Sequence, residues 1–411
     1  MARLRTVLGA ALAAVLVLAG CGGTDTGTRT LTFFSWENEE DMRPLIERFE
    51  QLNPGVTVEF SHAPPVSEYI SALQARLLSG TAADVFSIAA ENKTNLIDGE
   101  LVRDLTDAPF MANIAESNKA TYSRDGRAYG MSISSWGGGI FYNKELFAQA
   151  GITAPPQTWD EFLQVCATLR DAGSTPYLEA IPDGSQVVAA FLGAADSASG
   201  GSMDARIFDG TSSFGQTWVE PLRQWSRLWD EGLATRAVVG LKGDQVRDEF
   251  VNGRTAMYPS GPWDVQNIRE AAPGLDFEMM PVPALPGGEP YLAGAASPGY
   301  AINSAAEEPE LAERFLAFLG SAEGVRIFNE TTAAITTTTD YEPVIDPSLQ
   351  LIVASVRSGR YYLPMIAWPR HEDVLQVEAA AQEQMLVQGA TTPQAAAEAL
   401  DRRLADSDAN R

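Results

Sequence analysis

Between residues 31 and 88 the hydrophobic pattern switches repeatedly between short apolar runs and helical spacing. Residues 31–35 (LTFFS) are a short apolar run with two phenylalanines, which reads as a strand. Met42, Leu45, Ile46 and Phe49 then recur at helical spacing, with Asn38 or Asp41 placed to cap the helix and Pro44 still in its first turn. Asn53-Pro54-Gly55 stops that helix. Val56, Val58 and Phe60 alternate as a strand does. Tyr69, Ile70, Leu73 and Leu77 return to helical spacing, Gly80 ends the helix, and residues 84–88 read as a third strand. A β-α-β-α-β order implies the α/β class, a parallel sheet with helices on its faces. Ligands of such sheets sit beyond the carboxyl ends of the strands. Those ends are residues 36–38 and 91–93.

Further along, residues 130–139 are rich in Gly and Ser and lead into Ile140-Phe141-Tyr142-Asn143. Thr158 and Glu161 have the spacing of a capping box, in which hydroxyl and carboxylate satisfy free backbone N–H groups. Phe162, Val165, Cys166 and Leu169 form the apolar stripe of that helix, so Cys166 reads as a small buried hydrophobe. Trp159, Trp218, Trp225 and Trp229 fit helical faces and read as core. Residues 285–298 are loop-rich, Tyr300-Ala301-Ile302 resumes a strand, and Leu311, Phe315, Phe318 and Leu319 mark a helix face. Pro393 stands at the first position of a last helix, with Leu400 and Leu404 on its apolar side. There is no repeat of 20–50 residues.

The amino terminus reads as a leader. Arg3 and Arg5 precede an uncharged apolar run, residues 7–18, and Leu18-Ala19-Gly20-Cys21 follows. That is the layout of a secretory signal peptide, and the run is short for a membrane span of about 20 apolar residues. The Leu-Ala-Gly-Cys ending resembles a bacterial lipobox, which implies loss of residues 1–20 and lipidation at Cys21. Acyl chains then anchor the protein with about 0.8 kcal/mol per buried CH2. Residues 21–30 read as a flexible tether. The net charge of −25 becomes −27 without the two leader arginines, and such a surface repels nucleic acid and anionic lipid. Cys21 and Cys166 are the only cysteines, so a disulfide framework and a cysteine-based zinc site are excluded. His62 and His371 are far apart and form no ligand motif. No metal and no cofactor is expected.

Four stretches resemble the family-1 extracellular solute-binding proteins of ABC importers, the group that includes the maltose-binding proteins. They are residues 49–58 (FEQLNPGVTV); residues 125–130 (DGRAYG) with 142–147 (YNKELF), Gly151, Pro155-Pro156 and 158–162 (TWDEF); residues 250–257 (FVNGRTAM) with Gly261-Pro262-Trp263; and Pro281-Val282-Pro283 through Phe315-Leu316. The resemblance implies a periplasmic-binding-protein-like fold: two α/β lobes, each a mostly parallel sheet flanked by helices, joined by a hinge of several crossing segments. The N-terminal lobe would hold residues 31–134 and 294–336, the C-terminal lobe residues 135–293 and 337–411. Solute held between the lobes would favour the closed state. A monomer, anchored through Cys21 on the outer face of the cytoplasmic membrane, would then deliver a sugar to the permease subunits, with no catalytic role.

A sugar ring has an apolar C–H face and a rim of hydroxyls, so its cleft should combine aromatic rings with carboxylate, amide and guanidinium groups. Trp36, Glu37 and Asn38 follow the first strand, and Glu91 and Asn92 follow the third. Trp136 lies at the first expected crossing. Trp263 stands where sugar-binding relatives place a stacking aromatic, and Trp368 and Arg370 lie late in the second lobe, where such relatives often place ligand contacts. Asp183 and Gly294 complete the set. The expected ligand is a di- or oligosaccharide. The rivals are the same fold around a polyol, a glycerol phosphate diester or a peptide, and a secreted glycosidase. Phosphate would call for a cluster of basic side chains, and none stands at the expected cleft. A glycosidase needs two carboxyl groups flanking the bond, and no G-x-S-x-G, H-E-x-x-H or phosphate-binding glycine loop appears.

Overall fold

The computed structural model describes residues 28–409 apart from Ala90 and Asp183. Cys21 and most of the expected tether lie outside these residues. Strand β1 (Arg29–Ser35) begins inside the expected tether, because Arg29 and Thr30 already pair with Val56 and Thr57 of β2 (Val56–His62). β3 (Val85–Ile88) runs parallel to β1 on its other side. Because β1 is central, its side chains are buried on both faces. Leu31 and Phe33 join one core with Leu45 and Phe49 of helix Glu39–Leu52 and Phe315 of helix Pro309–Leu319. Phe34 points the other way, against Tyr69 of helix Val66–Ser79, with ring centroids 4.6 Å apart.

A short hairpin, β4 (Ser123–Arg124) with β5 (Arg127–Ala128), precedes the passage into the second lobe. There the sheet is built from β6 (Ser135–Asn143), β7 (Thr175–Tyr177), β8 (Thr255–Ser260), β9 (Phe277–Met280) and β10 (Leu292–Ala296). β11 (Gly299–Ile302) then returns to the first sheet, antiparallel to β3, giving the order β11-β3-β1-β2. β12 (Tyr361–Tyr362) pairs in parallel with β10. The second sheet is mixed rather than mostly parallel: β6 runs antiparallel to β8, β9 and β10. β6 enters from the hinge whereas β10 runs back toward it, so the two must oppose.

One large core fills the second lobe and buries Trp159, Trp218, Trp225, Trp229 and Cys166, as their helical spacing implies. The Thr158/Glu161 capping box is present: Glu161 N donates to Thr158 Oγ1 at 3.3 Å and Thr158 N to the Glu161 carboxylate at 3.2 Å.

The chain runs between the sheets at residues 133–135, 297–298 and 335–337, and the three passages are hydrogen-bonded side by side; after the last of them it turns back to Asn113 and Asn329 of the first lobe and enters the second at residues 345–346. Ser297 N donates to Ser134 O at 3.1 Å, Ser135 N to Ile335 O at 3.0 Å and Thr337 N to Ile133 O at 3.0 Å. The second passage falls beyond the boundary expected at Gly294, which is paired with Gly137 inside the second sheet. Fully buried Asn118 binds two of the passages: its Nδ2 donates to Ser132 O, Ser134 O and Thr337 Oγ1 at 3.1, 3.0 and 2.8 Å. Tyr122, one helical turn on, holds the remaining one by donating to Ala296 O at 2.7 Å.

Candidate functional site

At the carboxyl end of β1 the chain turns through Trp36, Glu37 and Asn38 into helix Glu39–Leu52. Trp36 is half-buried, its ring edge-on to Tyr69 at 5.2 Å. Glu37 folds back so that its carboxylate accepts from Ser35 Oγ, which also meets Ser87 Oγ of β3 at 2.8 Å. Desolvation there pushes the Glu37 carboxyl up to about 7, against the opposing hydrogen bond from Ser35. Asn38 is exposed, and its side chain makes no capping bond.

Beyond β3, Glu91 reaches solvent, yet it is crowded enough by protein that desolvation still raises its carboxyl pKa. Asn92 is 2% exposed; its Oδ1 accepts from Ala89 N at 3.1 Å and its Nδ2 has no partner. Next to it, Lys93 spans the two lobes. Its Nζ donates to Thr121 O at 2.8 Å in the first and to Ile366 O at 2.6 Å in the second. Burial lowers its pKa to about 8, and the charge of Glu372 opposes that shift.

From the second lobe, β6 carries Trp136 just past the crossing, and the turn after β8 carries Trp263. The two indoles meet edge to face with centroids 5.3 Å apart and planes at 71°. Trp136 is half-buried, whereas Trp263 is 52% exposed. The Trp263 ring lies over Gly261, where a Cβ would stand 2.2 Å from ring carbons, so only glycine admits this perch. Gly294 lies beside this corner: a Cβ on it would stand 2.3 Å from Trp136 O. Its part is to let β10 and β6 close up.

Two of the expected contacts are structural instead. Trp368 is 1% exposed; its Nε1 donates to Asp204 Oδ1 at 3.1 Å and its ring packs among Phe208, Phe214 and Trp218. Arg370 is taken up by Asp408, with Nε–Oδ1 2.7 Å and Nη2–Oδ2 2.8 Å, and its guanidinium lies over the Phe208 ring. Asp183 lies outside the described residues. Sequence reasoning missed Lys93, which reads as a solvated lysine. It also missed a cavity beside Trp136 bordered by Ser185, Gln186, Trp218, Met365 and Glu383. These come from separate segments, so no local pattern signals them. Among the described residues no cluster of His, Cys, Asp and Glu could hold a metal ion, and no helix is long and apolar enough to cross a membrane.

The family model described as bacterial extracellular solute-binding protein matches residues 35–326. The chain belongs to that family. Relatives of this extracellular solute-binding protein include a putative binding protein of Brucella abortus, 25% identical over 283 residues, which are 67% of this chain and 68% of the relative. The multiple sugar-binding protein of Streptococcus mutans is 22% identical over 307 residues, 72% of each chain. The melibiose/raffinose/stachyose-binding protein MelE of Bacillus subtilis is 24% identical over 346 residues, 78% of each. A family 1 extracellular solute-binding protein from Bifidobacterium longum subsp. infantis has a similar structure, with TM-score 0.80 and 30% identity over 92% of this chain and 100% of that one. RafE from Streptococcus pneumoniae matches at TM-score 0.76 and 18% identity over 92% and 97%, a likeness of fold alone. The family and these relatives are binding proteins rather than enzymes. In this solute-binding protein the first of the hydrogen-bonded crossings runs directly into Trp136, so the indole corner stands beside the crossings.

Proposed function

We propose that this protein captures a di- or oligosaccharide between its lobes and delivers it to the permease subunits of an ABC importer. A lipid on Cys21 would hold it at the outer face of the cytoplasmic membrane. The observation that carries the reading is Trp263, a large indole left half in water, perched on Gly261 and braced edge-on by Trp136. Apolar surface left in water forgoes about 25 cal/mol per Å2, and a flat C–H face laid on the ring recovers it. From the other lobe, Glu37, Asn38, Glu91 and Asn92 bring carboxyl and amide groups suited to a rim of hydroxyls. Relatives named for melibiose, raffinose and stachyose support the same ligand class, as does RafE, whose structure is known with raffinose bound.

The test is a thermal-shift panel of melibiose, raffinose, stachyose, maltose, maltotriose, a glycerol phosphate diester and a short peptide. At a hundredfold excess over Kd a true ligand stabilises the fold by about 2.7 kcal/mol. Trp263→Ala should weaken sugar binding at least tenfold, about 1.4 kcal/mol, and leave the circular dichroism spectrum unchanged. A shift produced only by the phosphate diester or the peptide, or an unaltered affinity in Trp263→Ala, refutes the reading.

A further inference from the structure

Lys93 opens helix Lys93–Asp98, directly after the two expected contacts Glu91 and Asn92. Its ammonium is a flexible point charge with three N–H donors, and taking such a charge out of water is costly unless partners are supplied. Two backbone carbonyls supply them, Thr121 O at 2.8 Å and Ile366 O at 2.6 Å. Thr121 is the last residue of helix Glu116–Thr121 in the first lobe, and Ile366 belongs to the short helix Pro364–Ala367 in the second. Carbonyls at a helix carboxyl end have no partner inside the helix and carry partial negative charge, so a cation suits both. Burial pulls the Lys93 pKa down, the charge of Glu372 in the second lobe opposes that shift, and Arg124 adds to it.

Neither Lys93 nor Ile366 belongs to the three passages that lie side by side between the lobes. Two bodies joined at one place can still turn about it, and a tie at a second place takes that freedom away. Thr121 stands between Asn118 and Tyr122, so the lysine is fastened to the same helix that grips the passages. We infer that Lys93 is a positioning residue that sets the angle at which the two lobes rest, by tying residue 366 of the second lobe to helix Glu116–Thr121 of the first. A solute then meets a cleft of preset width rather than one that swings freely. The inference needs the two lobes and not the sugar, so it stands whichever solute the cleft takes.

Pulsed dipolar distance measurement between spin labels on the two lobes tests this, in the chain from residue 21 with Cys21→Ser and no solute added. The labels go on Glu47→Cys and Gln164→Cys, exposed positions of helices Glu39–Leu52 and Trp159–Asp171; enclosed Cys166 takes none. With Lys93 in place one narrow distance should dominate. Lys93→Met keeps the stem and removes the donors. A hydrogen bond to a charged group shifts an equilibrium about tenfold or more, so other distances should overtake the first while the circular dichroism spectrum stays unchanged. Lys93→Arg keeps charge and donors and should keep the single distance. Should Lys93→Met fail to fold, Lys93→Gln, polar but one atom shorter, decides the matter in the same way. A distance distribution unchanged in the Met or Gln variant overturns the inference, as does an Arg variant as displaced as the Met one. Because no solute is present, either result is independent of the sugar panel.

Discussion

Replacing Gly261 with alanine should displace the Trp263 indole without removing it. A Cβ at Gly261 would stand 2.2 Å from two ring carbons and 2.6 Å from a third, whereas ordinary contact starts at 3.4 Å. The backbone there is not left-handed, so alanine brings no strain of its own. Trp263 is 52% exposed, so its ring can swing outward, and stability should change by less than about 1 kcal/mol. Ligand contact is less forgiving: a retreat of about 1 Å forfeits up to half of each dispersion well. A central tryptophan in a binding site contributes about 2 kcal/mol or more. Losing a quarter to half of that weakens binding about two- to fivefold, short of the tenfold or greater loss from Trp263→Ala. The two changes act through one ring, so they should not add. In a calorimetric double-mutant cycle with the sugar that gives the largest thermal shift, Gly261→Ala should cost nothing further once Trp263 is alanine. An equal cost in both backgrounds would refute the claim that the glycine exists to seat the indole.

Two further expectations concern the second lobe. Burial pushes the Glu383 carboxyl up to about 8, with the hydrogen bond from Ser185 opposing and the charge of Glu179 adding to the rise. The folded protein therefore keeps a proton that the unfolded chain gives up near 4.5, so this contribution is complete below that pH and is lost as the pH climbs through 8. Glu383→Gln should raise the Tm at pH 8.5 and barely move it at pH 5; an equal effect at both values would show that the proton plays no part. Cys166 is fully enclosed, and burial pushes its thiol pKa up. It should ignore a thiol reagent such as dithionitrobenzoate in buffer and react fully in 6 M guanidinium. Rapid labelling of the native protein would contradict the packing.

Much of the first lobe is legible in local sequence. Each of its strands is bounded by turn residues, and each helix shows one apolar stripe, so β1, β2 and β3 emerge with their helices between them. The Thr158/Glu161 box is readable for the same reason: its partners are three residues apart. What local pattern does not carry is the course of β6, because an apolar run reads alike whichever way it faces its neighbours. Nor does it reveal which tryptophan meets water. Trp263 and Trp368 both sit next to a proline in short loops. One is left exposed by the turn after β8; the other is drawn inward by Asp204, a partner 164 residues earlier in the chain. Arg370 is claimed in the same way by Asp408. Of the expected contacts, chain position brings out Trp36, Glu37, Asn38, Glu91 and Asn92, which follow strands of a parallel sheet, whereas Trp136 and Trp263 come from the family resemblance. The cavity wall beside Trp136 depends on segments that meet only in the folded protein.

Asn118 and Tyr122, a single turn apart, fasten the three segments of backbone that lie side by side between the halves of the molecule. Both anchors come from one short helix, so the three segments are held from a single point. Like a purse on one clasp pin, the halves would have to part and meet about that point, and a change at either side chain would loosen all three segments at once.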